Sequence, residues 1–125
     1  MSDLQCPARF HLVRYDGLEG PKGDALGGER IARVYTPALL DAVRAGESAA
    51  AEVGVRAQVL DGLTTAEVVG ASLLPVLDDI ADELRGESVV VMTSGESLRA
   101  SSSFAEAEPG EHVVLERDVD GWRLG

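Results

Sequence analysis

Ser88-Val-Val-Val-Met92 is the most hydrophobic run in the chain, and it carries no charged residue. A strand with no polar alternation has no face to offer to water. It belongs in the middle of a parallel sheet with helices covering both sides. That requirement limits the chain to an α/β architecture, and the remaining sequence fits it. Arg9-Phe-His-Leu-Val-Arg14 reads as a first buried strand and Ile31-Ala-Arg-Val-Tyr35 as a short second one. Thr36-Pro37 supplies a helix cap and a first-turn proline, which predicts a helix from Pro37 to Val53 stopped by Gly54. Val55-Arg-Ala-Gln-Val-Leu60 alternates as an edge strand does, with Asp61-Gly62 as its turn.

Thr64 or Thr65 then caps a long helical region from Ala66 to about Arg85, in which Leu73, Leu74, Leu77, Ile80, Ala81 and Leu84 keep helical spacing. Pro75 is expected to break or kink it. After the central strand a short helix passes through Leu98 and Ala100 and fades in Ser101-Ser102-Ser103. His112-Val-Val-Leu-Glu-Arg117 and Gly121-Trp-Arg-Leu124 flank Asp120-Gly121, a hairpin signal. Strands alternating with helices predict a three-layer α/β/α sandwich, its sheet mostly parallel with an antiparallel C-terminal hairpin. A single domain over 1–125 is expected, with a tail over 1–7 and a flexible Gly-rich loop over 15–30.

Composition narrows the partners. Eleven Lys plus Arg against 22 Asp plus Glu give a formal charge of −11, which argues against nucleic acid and anionic membranes. Aromatic residues are confined to Phe10, Phe104, Tyr15, Tyr35 and Trp122, too few for a base-stacking platform. The lone Cys6 makes no internal disulfide, and no segment reads as a targeting signal or membrane span, so a cytoplasmic location is expected. No cofactor is implied. No metal site is expected either: no metal-type Cys pair exists, and a metal on Asp16, Glu96 and Asp41, weighed as a form of the altered-chemistry reading, would lack any histidine or cysteine ligand.

In sheets of this kind, ligands bind beyond the C-terminal ends of the strands. Two such ends stand out, Arg14-Tyr15-Asp16 and Thr93-Ser94-Gly95. Leu12-Val-Arg-Tyr-Asp16 resembles the leucine-valine-arginine-histidine-glycine strand end of the histidine phosphatase (phosphoglycerate mutase-like) superfamily. Val89-Val-Val-Met-Thr-Ser-Gly-Glu-Ser-Leu-Arg99 resembles that family's valine-rich strand, serine-histidine-glycine and helix. Val34-Tyr-Thr-Pro, the alanine-rich helix, Leu60-Asp-Gly-Leu63 and Val114 through Trp122 follow in the family's order.

The resemblance implies that Tyr15 stands at the nucleophilic histidine, Ser94 at the second histidine, Asp16 and Glu96 at glycines, and Arg14 at a phosphate-binding arginine. The second arginine is Arg44, or Asp41 takes its position; the two lie three apart on one helix face, where they can also pair with each other. Thr65 falls at the family's acid, with Glu67 nearby, and Glu67 is expected to be an exposed first-turn helix residue. A phenol with a reference pKa near ~10 replaces imidazole poorly as a nucleophile. His11 sits about 13 Å back along the first strand and His112 in the hairpin, so neither substitutes.

The resulting expectation is a degenerate site of Arg14, Tyr15, Asp16, Arg44, Thr93, Ser94, Gly95 and Glu96, neutral or acidic where the family is electropositive. A catalytically inactive binding or regulatory module follows, with a protein partner or second copy. Trp122 and Phe104 are weighed as interface anchors against core or rim packing. The alternatives are a small-molecule cleft or a hydrolase of altered chemistry, the latter with Tyr15 or Ser94 as nucleophile or with Asp16 and Glu96 as acid and base.

Overall fold

The computed structural model describes residues 7–15, 30–102, 112–118 and 121–124. Its elements run β1 (Ala8–Arg14), β2 (Ile31–Thr36), α1 (Leu40–Val53), β3 (Ala57–Val59), α2 (Asp61–Val69) and α3 (Leu74–Ala81). A 3-10 turn (Asp82–Leu84), β4 (Ser88–Thr93), α4 (Gly95–Ser102), β5 (His112–Asp118) and β6 (Gly121–Leu124) follow. Among the described residues six strands form one sheet in the order β3-β2-β4-β1-β5-β6. The first four of that order are mutually parallel, whereas β5 is antiparallel to β1 and β6 to β5.

The apolar run of β4 lies between β2 and β1, and its alternating side chains are buried on opposite faces. Val89 and Val91 enter a core with Phe10, Leu12 and Leu115 of the sheet, Leu63 of α2, Leu77 of α3 and Leu98 of α4. Val90 and Met92 enter a second core with Val13, Ile31 and Val34 under Ala42, Ala49 and Ala50 of α1. Two cores on two faces make the expected three layers.

The small residues of α1 bring its backbone close to the sheet. A Cβ built on Gly46 would stand 2.1 Å from Thr36 Cγ2, closer than any real contact. The hairpin closes the other flank, where Trp122 packs on Phe10 with ring centroids 5.5 Å apart and an interplanar angle of 47°. Trp122 is thus a core-packing residue. Phe104 and Cys6 lie outside the described residues, as do all but the end residues of the expected tail and Gly-rich loop.

Three local expectations are corrected. Thr36 is the fully buried last residue of β2 and caps nothing; α1 begins at Leu40 after Leu39, with no side-chain cap. The entry to the helix is held from elsewhere, by the Ala38 N–H donating to Thr64 Oγ1 at 2.8 Å. Asp61-Gly62 opens α2 and makes no turn, so Thr64 and Thr65 lie inside the helix. The long helical region is two helices, divided at Gly70 (φ 66°), the left-handed residue that ends α2. The expected break in the first part of the region is present, and Pro75 lies just after it in the first turn of α3, where its missing N–H costs nothing.

The last helix ends within the serine run as expected, at Ser102, and Ser103 lies outside the described residues. Ser101 and Ser102 are buried, and their hydroxyls donate back to the carbonyls of Ser97 (2.7 Å) and Leu98 (2.9 Å). Ser101 Oγ also accepts the Leu73 N–H at 2.8 Å, which ties the break between α2 and α3 to α4.

Gly46→Ala tests the close approach of α1. Alanine favours a helix by about 1 kcal/mol over glycine, but forcing a methyl into this contact is expected to give net destabilisation of about 1–3 kcal/mol. Urea denaturation of the variant measures the sign.

Candidate functional site

β1 and β4 are adjacent and parallel with Arg14 opposite Thr93, so their C-terminal ends deliver Tyr15 and Ser94 to one place. The Tyr15 N–H donates to the Thr93 carbonyl at 3.0 Å, extending the ladder by one residue. Ser94 is the residue before α4, and its Oγ accepts the Ser97 N–H at 3.2 Å as an N-cap does. The geometry therefore aims the first turn of α4, with its positive dipole end, at the space beyond β1 and β4.

Glu67 of α2 fills part of that space. It is only 8% exposed. Its carboxylate accepts the Ser94 backbone N–H at 2.9 Å (Oε2) and 3.1 Å (Oε1), and Oε1 also accepts the Thr93 hydroxyl at 2.6 Å. The Tyr15 hydroxyl lies 3.4 Å from Oε2. One side chain thus joins α2, β4, the start of α4 and the residue after β1. The expectation of an exposed first-turn Glu67 is overturned because the helix starts at Asp61, five residues before the expected start at Ala66. Leu63, Ala66 and Glu67 then share its buried side, while Val68 and Val69 are 72% and 70% exposed.

Arg14 faces the same region from β1. Its guanidinium lies against Gly95, where a Cβ would stand 3.0 Å from both Cζ and Nε. A side chain at position 95 would displace the arginine, which accounts for glycine there. Glu96 is exposed and packs its carboxyl group against the Cα side of Gly70, where a Cβ would come within 2.4 Å of Cδ. It therefore lies at the rim, over the end of α2.

The expected set is brought together only in part. Arg14, Tyr15, Thr93, Ser94 and Gly95 converge, and Asp16 lies outside the described residues. Arg44 is exposed on α1, and among the described residues no hydrogen bond or ion pair joins it to Asp41 or to the strand-end cluster. Thr65 is exposed and bonds back to Asp61 O at 3.3 Å. Both histidines lie elsewhere: His11 and His112 contact each other on the sheet. Among the described residues no cluster of three metal-ligating side chains exists, and no helix is long and apolar enough to cross a membrane.

Comparison with solved structures places this architecture. A phosphoglycerate mutase from Plasmodium falciparum superposes with a TM-score of 0.61 at 15% identity, over 96% of this chain and 89% of that one. The fold is phosphoglycerate mutase-like. A protein assigned as the phosphohistidine phosphatase SixA from Agrobacterium tumefaciens gives a TM-score of 0.58 at 16% identity, covering 94% of both chains. No protein-family model matches the sequence, and no curated protein matches it. At these identities the likeness is one of fold, and the chemistry has to be argued from the side chains at the strand ends.

Glu67→Ala strands the Ser94 N–H and the Thr93 hydroxyl in a buried place, and is expected to cost about 2–3 kcal/mol. Glu67→Gln, which keeps an acceptor, is expected to cost clearly less. Ser94→Ala removes only the N-cap and is expected to cost about 1 kcal/mol. Chemical denaturation of the three variants side by side checks the order.

Proposed function

We propose that this chain is a degenerate member of the histidine phosphatase superfamily that performs no phosphoryl transfer and acts as a binding or regulatory module. The observation that carries this reading is the position of the Glu67 carboxylate. The donors a strand-end site would offer to an anion, the Ser94 N–H and the Thr93 hydroxyl, are already bonded to an anion of the chain's own.

Phosphoryl transfer through a histidine needs a ring nitrogen at the attacking position and a concentration of positive charge around the phosphoryl oxygens. Tyr15 supplies a phenol whose hydroxyl is directed at Glu67. The exposed Arg44 leaves Arg14 as the arginine that reaches the cluster among the described residues. Two like charges 4 Å apart repel by about 4 kcal/mol at an effective dielectric of 20, so a phosphate brought beside Glu67 starts at a disadvantage of that order.

Exposed apolar side chains on α1 and α2 support the reading of a protein-binding module. Leu40 at the start of α1 is 65% exposed, and Val68 and Val69 directly follow Glu67 along α2. Exposed apolar side chains on these two helices are available to a partner surface.

The test is enzymatic and thermodynamic together. The purified chain is expected to hydrolyse p-nitrophenyl phosphate no faster than buffer, and millimolar phosphate is expected to leave its melting temperature unchanged. Glu67→Ala is expected to melt lower and to regain part of the loss in phosphate. Turnover by the unmodified chain that disappears in Tyr15→Phe would overturn the proposal.

A further inference from the structure

Val68 and Val69 are the most exposed large apolar side chains among the described residues, at 72% and 70%, and they are consecutive. Neither enters either core. Both stand in the last turn of α2, whose buried side is already made by Leu63, Ala66 and Glu67. The helix gains little from them, because β-branched residues are poorer helix formers than the alanine, lysine or glutamate that an exposed position accepts. We propose that this outward face of α2 docks a basic segment of a partner protein, which lays apolar side chains on the two valines and brings Arg or Lys to the acids around them. The proposal rests on the reading of the chain as a binding module and names the chemistry of its partner.

The sign of the charge around the valines selects the occupant. Asp61, Thr65 and Val69 follow one another at intervals of four residues, so they share one exposed stripe of α2. Beyond its end, the exposed Glu96 holds its carboxyl group against Gly70, the residue after Val69. The stripe therefore starts at one carboxylate and finishes beside another. α2 carries no Lys or Arg, and its last turn, where a cation is favoured by the helix dipole, has none. The exposed Arg99 stands one turn along α4 from Glu96, but among the described residues neither it, Glu96 nor Asp61 forms an ion pair.

Other occupants meet this charge unfavourably. A second copy docked through the same face brings Asp61 and Glu96 toward carboxylates of the same kind, in a chain whose formal charge is already −11. An anionic lipid surface is repelled in the same way. A basic segment is drawn in by the net charge, covers the valines, and supplies the cation that the end of α2 lacks.

The test uses the intact chain and two fluorescent helical peptides with the same leucine stripe, one flanked by lysine and arginine and the other by glutamate. Anisotropy titration is expected to show binding of the basic peptide, weakening as salt is added, and no binding of the acidic one. Val68→Ser combined with Val69→Ser leaves the charge unchanged and is expected to weaken the basic peptide by about tenfold or more. Glu96→Gln is expected to weaken it by about threefold. Urea midpoints matching that of the unmodified chain show that the variants remain folded. In the unmodified chain, amide NMR shifts caused by the basic peptide are expected within Asp61–Gly70 and at Glu96.

No binding of the basic peptide, or equal binding by the double serine variant, would sink the docking face, since attraction would then be absent or rest on net charge alone. A dimer of the unmodified chain that the double serine variant dissociates would assign the face to a second copy instead. These outcomes are separate from the fate of the binding-module reading, which fails on phosphatase turnover whatever the peptides do.

Discussion

The bond between the Glu67 carboxylate and the start of α4 is the constraint on which the arrangement of the strand ends depends. A helix that follows a central strand begins with N–H groups that no turn of its own can satisfy. Here the Ser94 hydroxyl satisfies one from within, and Glu67 satisfies the Ser94 N–H from α2. Because that carboxylate also holds the Thr93 hydroxyl, the ends of β4 and α2 cannot move apart without leaving buried polar groups unpaired. The Tyr15 ring and the Arg14 guanidinium are laid against an already fixed frame.

The layers of the fold were legible in the sequence because burial alone dictates them. The run Val89 to Met92 requires two covered faces, and the structure supplies two cores that divide those residues between them. Gly54, the left-handed residue that ends α1, and the antiparallel pairing of β5 with β6 were legible for a similar reason, since both are signalled by a few neighbouring residues. The helix boundaries were less legible. Thr36-Pro37 and Thr64-Thr65 have the composition of caps, but tertiary packing places Thr36 in a strand and uses the Thr64 hydroxyl to hold the Ala38 N–H of another segment.

The site was legible by position and obscure in its decisive residue. Arg14, Tyr15, Thr93, Ser94 and Gly95 follow from the strand ends alone. Glu67 was hidden because a helix start misplaced by five residues, Ala66 for Asp61, moves a carboxylate from the inner side to the first turn. The signal existed: with the helix begun at Asp61, Leu63 and Glu67 are one turn apart on one side. The adjacent exposed Val68 and Val69 obscured it, since apolar side chains would ordinarily mark the buried face.

What the fold supplies and what the sequence chooses can be separated at this one place. Any chain with these parallel strands and a helix after the central one presents N–H donors beyond the strand ends, so the preference for an anion there is a property of the topology. The identity of the anion belongs to the side chains. This chain provides it from α2, and it spends its two histidines on the β1–β5 seam, far enough down the strand that they take no part at the strand ends. Gly95 shows the same division: the close approach that lets a backbone meet a ligand is kept, and the group it admits is the chain's own Arg14. Glu67 and Arg14 thus take up donors and a close approach at the strand ends from within the chain itself, while Leu40, Val68 and Val69 stay exposed on the helices outside that cluster.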